Sequence, residues 1–223
     1  MSIIYDSSEK VFYLNTPNTS YVMNIYCEKY LLHLYYGPTV QGDMSNLLTY
    51  GFRCGHGTPY EYKENPVFSC DFSPQEYSCL GSGDYRNHAF RIRNAAGVSG
   101  CDLRYKNHTI YNGKYSIPGL PASYGDCHVQ TCEIALGDER LGVEVVLKYG
   151  VFYEEDVITR SVEVRNLGEE NVYLNKVMSA SFDFLTGEFD LIHFYGRHFN
   201  EMNLERTKVG HELITIGNRR GFS

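Results

Sequence analysis

Hydrophobic and polar residues alternate with a period of two along most of this 223-residue chain. A half-buried strand requires that pattern, because successive side chains point to opposite faces of a sheet. The alternation predicts nine strands, over residues 11–14, 20–27, 30–36, 88–93, 103–111, 129–136, 143–153, 157–166 and 172–181. The short Glu28-Lys29 connection makes the second and third a hairpin. In the eighth, Ile158, Val162 and Val164 share one face while Thr159, Ser161, Glu163 and Arg165 share the other. Turn chemistry separates the segments: Asn94-Ala95-Ala96-Gly97, Asn112-Gly113, Gly137-Asp138 and Leu167-Gly168-Glu169-Glu170-Asn171. No stretch carries apolar residues at helical spacing and no fixed-period repeat occurs, so bundles, solenoids and propellers drop out. The expectation is an all-β fold, a large antiparallel β-sandwich. Residues 37–78, rich in Gly, Pro, Asn and Tyr with weak alternation, read as a long excursion from the sheet.

Composition narrows the function. Lys and Arg total 20 against 27 Asp and Glu, a formal charge of -7 that leaves little cationic surface for tracking phosphates. Nucleic acid is therefore excluded as the expected partner. No apolar run approaches the roughly 18 residues of a membrane span. The opening residues lack a cationic stretch followed by an apolar one, so a cytoplasmic protein is expected. Seven cysteines without a C-x-x-C pair fit reduced thiols better than a disulfide framework or a zinc site.

No phosphate loop, zinc-protease helix or nucleophile elbow occurs. Gly81-Ser82-Gly83 has no following helix to aim at an anion. The eight histidines are scattered, so neither metal nor cofactor is expected. The acidic clusters Glu154-Glu155-Asp156 and Glu169-Glu170 read as solvated rims, since neighbours on an extended chain point apart. Twenty Tyr and twelve Phe suit a carbohydrate-binding sandwich, although the lack of Trp and the alternating Tyr positions favour packing.

Several strings carry a sharper signal. Thr19-Ser20-Tyr21-Val22, Leu32-His33-Leu34-Tyr35-Tyr36-Gly37 and Gln75-Glu76-Tyr77 leading to Gly83-Asp84-Tyr85-Arg86 come first. Asp102-Leu103-Arg104-Tyr105, Gly113-Lys114, Pro118-Gly119-Leu120-Pro121-Ala122, Leu147-Lys148-Tyr149, Asp156-Val157-Ile158-Thr159-Arg160-Ser161 and Arg219-Arg220-Gly221 follow in the same order. This colinear series resembles the N-terminal region of the α-galactosidases of glycoside hydrolase family 36. It departs from that pattern at Ser78-Cys79, where many relatives have proline, and through residues 39–72.

The resemblance implies that residues 1–223 form the N-terminal supersandwich of an enzyme whose (β/α)8 barrel, with both catalytic Asp residues, lies downstream. No such strand–helix alternation occurs here, so no catalytic residue is assigned. The implied partners are the enzyme's own barrel, further copies in a homo-oligomer, and a galactoside of the raffinose or melibiose type. Asp43 and Arg53, in the excursion, are the candidate substrate contacts, reaching a neighbouring subunit's sugar pocket. Asp84 and Arg86, two apart, are expected to pair and pin the strand after the excursion. The alternatives are a stand-alone carbohydrate-binding sandwich and an oligomerisation module of another enzyme.

Overall fold

The computed structural model describes residues 2–44, 47, 68–71, 73–81, 83–120, 123–125, 128–184, 187–219 and 221. These fall into two compact units, Met1–Asp183 and Phe184–Ser223. Among the described residues the named strands pair antiparallel.

In the first unit, β1 (Ile3–Asp6), β2 (Val11–Asn15), β3 (Thr19–Tyr26) and β4 (Tyr30–Pro38) make one meander in chain order. A second meander holds β6 (Arg104–Asn112), β7 (Val129–Asp138), β8 (Val143–Phe152) and β9 (Val157–Asn166). A short ribbon pairs β5 (Phe90–Asn94) with β10 (Val172–Val177). One buried cluster unites Phe12, Leu14, Met23 and Ile25 of the first sheet with Ile134, Val145, Leu147 and Val151 of the second, and Phe90 and Ile92 of β5 join it. Removing these side chains from water is the main favourable term in holding the two sheets face to face. The all-β sandwich expected from the alternation is the observed fold. In the second unit, β11 (Asp190–Arg197) and β12 (Asn200–Lys208) form a hairpin.

Local chemistry explains the connections. The β3–β4 turn closes by Lys29 N–H donating to the Tyr26 carbonyl, with Cys27 and Glu28 both in the left-handed region at φ 48° and 59°. Two positive-φ central residues match the right-handed twist of the flanking strands. Among the described cysteines, Cys27 is exposed and Cys70, Cys79, Cys101 and Cys132 are buried. Gly81 sits at φ +116°, and a Cβ there would lie 2.7 Å from the Cys101 backbone nitrogen. The Gly81-Ser82-Gly83 string thus includes a glycine that backbone packing requires.

Three features differ from the periodicity. Strands β1, β11 and β12 were not foreseen, being short or set in weakly alternating sequence. The excursion is also shorter than residues 37–78: β4 runs to Pro38, and the chain is back against the first sheet by Phe68, which packs on Tyr26 and Tyr30. Residues 69–78 look like a loop because they are polar, yet Ser69, Ser73, Gln75, Glu76 and Ser78 are buried. Their polar groups find partners within the fold: Ser73 Oγ donates to the Ser69 carbonyl, and Gln75 Nε2 to the Cys70 carbonyl and Asp84 Oδ2.

Candidate functional site

Strand β9 places Arg160 in phase with Ile158, Val162 and Val164, on the face that packs against the core. Its cross-strand partner is Tyr149 of β8. A guanidinium in an apolar row requires a buried counter-charge. The returning segment supplies it: Glu76 N–H donates to the Leu31 carbonyl at 3.0 Å, beside a bridge between Leu32 and Gln75, and the Glu76 carboxylate is fully buried. Arg160 Nη1 lies 2.8 Å from Glu76 Oε1, and Nη2 donates to the Glu76 carbonyl at 3.1 Å.

Two tyrosines complete the cluster. Tyr21 Oη lies 2.7 and 2.8 Å from the two carboxylate oxygens, and Tyr149 Oη donates to Oε1 at 2.7 Å. His33 Nδ1 approaches Oε2 at 3.4 Å without the alignment of a strong hydrogen bond. A bulge in the β3–β4 pairing, where Val22 faces Tyr35 but Met23 faces His33, turns both His33 and Tyr36 to one side of β4.

The electrostatics oppose proton transfer. Burial alone raises the Glu76 carboxyl, but the Arg160 charge, then His33 and the Tyr149 hydroxyl, outweigh it and hold the group below its ordinary 4.5. Burial, with the charge on Glu76 assisting, pushes Tyr21 and Tyr149 well above the usual phenol range. Burial also raises Tyr77 to about 12. These groups keep fixed protonation states near neutral pH, whereas a general acid or base works best with a pKa close to the operating pH. The cluster is a clamp tying the returning segment to both sheets.

Above the clamp lies a cavity of about 270 Å³ lined by Thr19, Tyr21, Tyr36, Tyr149, Asp156, Ile158, Arg160 and Phe182. Asp156 closes the β8–β9 hairpin at φ 57°, and its carboxylate accepts from the Thr16 hydroxyl, from Asn18 N–H at 3.3 Å and from Asn18 Nδ2 at 3.1 Å. A second cavity, about 430 Å³, is walled by charge. Each of its acids already faces a cation: Asp102 with Arg104, Asp138 with Arg140, and Glu139 with Lys106.

The residues singled out from sequence are placed as follows. Asp43 is exposed in the stretch after β4, where the Tyr13 hydroxyl donates to the Gly42 carbonyl and accepts from Met44 N–H. Arg53 lies outside the described residues. Asp84 and Arg86 occupy the connection before β5 and not an extended strand, because Asp84 folds back on its own chain: its Oδ1 accepts from both the backbone N–H and Nε of Arg86, at 2.9 and 3.0 Å. Asp84 is buried, and Arg86 also reaches the Ser73 carbonyl at 2.8 Å and Asp183 at 2.9 Å. Burial, only partly offset by Arg86, raises the Asp183 carboxyl. The Glu76–Arg160 pair was not identified from sequence, although a charge in phase with Ile158, Val162 and Val164 was a legible signal for Arg160.

Known proteins share this architecture. The model of the glycosyl hydrolase family 36 N-terminal domain matches residues 29–223. The bifunctional alpha-galactosidase/sucrose kinase AgaSK of Mediterraneibacter gnavus is 48% identical over 100% of this chain and 24% of its own length. The solved galactosidase domain of an alpha-galactosidase-sucrose kinase AgaSK superposes with a TM-score of 0.92, covering 98% of this chain and 31% of that one. Alpha-galactosidase AgaB from Geobacillus stearothermophilus superposes with a TM-score of 0.90 at 34% identity, over 99% of this chain and 30% of its own. A variant of AgaA from the same organism, solved in complex with raffinose, gives 0.83 at 35% identity over 90% and 28%. The chain spans between a fifth and a third of the curated relatives it matches. With superposition, sequence identity and family model in agreement, the chain belongs to glycoside hydrolase family 36 and corresponds to the N-terminal domain of its α-galactosidases.

Proposed function

We propose that this chain is the non-catalytic part of a retaining α-galactosidase that removes terminal α-linked galactose from raffinose- and melibiose-type sugars, and that it braces the catalytic barrel and a homo-oligomeric assembly. The observation that carries the reading is how the fold uses its acids. A retaining glycosidase holds two carboxyl groups about 5 to 5.5 Å apart, one protonated and one ionised. The carboxylates buried among the described residues, Glu76, Asp84 and Asp138, are all committed to structure. Glu76 is held by Arg160 and two tyrosines, Asp84 by Arg86 and Gln75, and Asp138 by the backbone N–H groups of Asp102, Arg140 and Leu141.

The bracing role draws on apolar surface. Strand β10 exposes Tyr173, Leu174 and Val177. Within the second unit, Ile192 and Phe194 lie opposite Arg206 and Leu204, and Ile192, Phe194 and Leu204 are exposed on one face of a two-stranded ribbon. An isolated ribbon of that kind is marginal in water, and exposed apolar faces mark interaction surfaces. The raffinose complex of the AgaA variant supports the substrate class.

The purified chain is expected to be silent toward an aryl α-galactoside; turnover above a mock-purified control overturns the non-catalytic assignment. The excursion that carries Asp43 and Arg53 is the part we assign to substrate, across a subunit interface. In the complete enzyme, Asp43→Ala or Arg53→Ala should raise KM or lower kcat/KM without lowering thermal stability, and wild-type kinetics in both remove the excursion from the mechanism.

A further inference from the structure

The cavity above the Glu76–Arg160 clamp has walls, floor and rim of different chemistry. Tyr36 and Phe182 flank Tyr21, with ring centroids 5.8 and 6.2 Å from it, and are 51% and 47% exposed. The floor is Tyr21 and Tyr149, both buried and with hydroxyls engaged by Glu76. Half-exposed rings over a desolvated floor offer apolar faces to a flat ligand that also carries polar edges.

Charge selects the class of ligand. Arg160 and Glu76 cancel, and Asp156 adds a negative charge at the rim, so an anion is repelled. The Arg160 fork is turned to Glu76 and is not free to chelate a carboxylate or phosphate. A cation is disfavoured too, because the guanidinium already lies 5.6 Å from the Phe182 ring centre and 5.2 Å from that of Tyr149. What remains is a neutral molecule with hydroxyl groups. Asp156 is fixed at the rim: Oδ1 takes the Thr16 hydroxyl and Asn18 N–H, Oδ2 takes Asn18 Nδ2, and the Thr19 hydroxyl also donates to the group, so a carboxylate acceptor is held in place beside the rings. A volume of about 270 Å³ lies just under the roughly 300 Å³ at which drug-sized pockets begin and suits a single sugar ring.

We infer that this cavity is a sugar-binding site taking one neutral hexose residue, stacked between Tyr36 and Phe182 and hydrogen-bonded to Asp156. The chain itself should be titrated with galactose and with raffinose, followed by ligand saturation-transfer and by shifts of ring-labelled Tyr and Phe. A polar ligand of about twelve heavy atoms is expected to bind with a Kd on the order of 1–10 mM. Tyr36→Ala and Asp156→Asn should each weaken binding about tenfold while the thermal midpoint holds, and Tyr36→Phe should restore most of it. Choline and inorganic phosphate serve as cationic and anionic probes and are expected not to compete. No saturation by either sugar, unchanged affinity in Tyr36→Ala, or displacement by choline or phosphate overturns the assignment; a cavity filled by another protein surface gives the first of these results.

Discussion

Replacing Arg160 by methionine keeps an unbranched apolar stem and removes the guanidinium with its charge. The variant strands a fully buried carboxylate: Glu76 loses the 2.8 Å ion pair to Nη1, its carbonyl loses the 3.1 Å bond from Nη2, and it keeps the two tyrosine hydroxyls and the 3.4 Å approach of His33 but no permanent cation. Breaking a buried pair from one side costs about 3–5 kcal/mol. For a chain of this size, about 2–4 °C of melting temperature per kcal/mol makes that a fall of about 6–20 °C. Urea denaturation of Arg160→Met, Glu76→Leu and the double variant closes a mutant cycle. The double variant should lose less than the sum of the singles, because removing both charges relieves the desolvation each suffers alone. The dependence on pH carries a sign. In the wild type the folded-state value of Glu76 lies below its ordinary 4.5, so its contribution is complete above about pH 4.5 and lost as pH falls through the lower folded value. Without the guanidinium, burial dominates and the folded value rises, so the variant's deficit should shrink as pH falls from 7 toward 4. A cost under about 1 kcal/mol, the range of surface pairs, or a deficit that grows in acid refutes the clamp.

Asp84→Asn should cost about 2 kcal/mol, measured by urea denaturation, since it weakens two charge-assisted contacts to Arg86 at a buried oxygen pair while Arg86 itself keeps part of its solvation. An unchanged midpoint would make the pair a mere surface contact. Gly81→Ala should cost more than about 1 kcal/mol, because the new Cβ meets the Cys101 nitrogen and the Gly100 Cα at 2.7 and 2.8 Å on a backbone at φ +116°. Gly97→Ala, at φ +86° with open space around its Cβ, should cost less and serves as the control.

The sequence by itself determined the strand class and most strand positions, because burial on one face of a sheet writes a period of two into the chain. Ile158, Val162 and Val164 face the core as their spacing required. The colinear strings led to family 36 without any catalytic constellation. Tertiary structure decided the rest. Pairing of β5 with β10 joins residues some eighty positions apart, and nothing local records that register. Glu76 is the clearest case. It stands in a stretch of serines and glutamine that reads as solvated loop, yet it is fully buried, because Arg160, Tyr21 and Tyr149 arrive from β9, β3 and β8 to replace the water it gives up. A buried charge is stable only through partners distant in sequence, so its position becomes legible only once the strands are assembled.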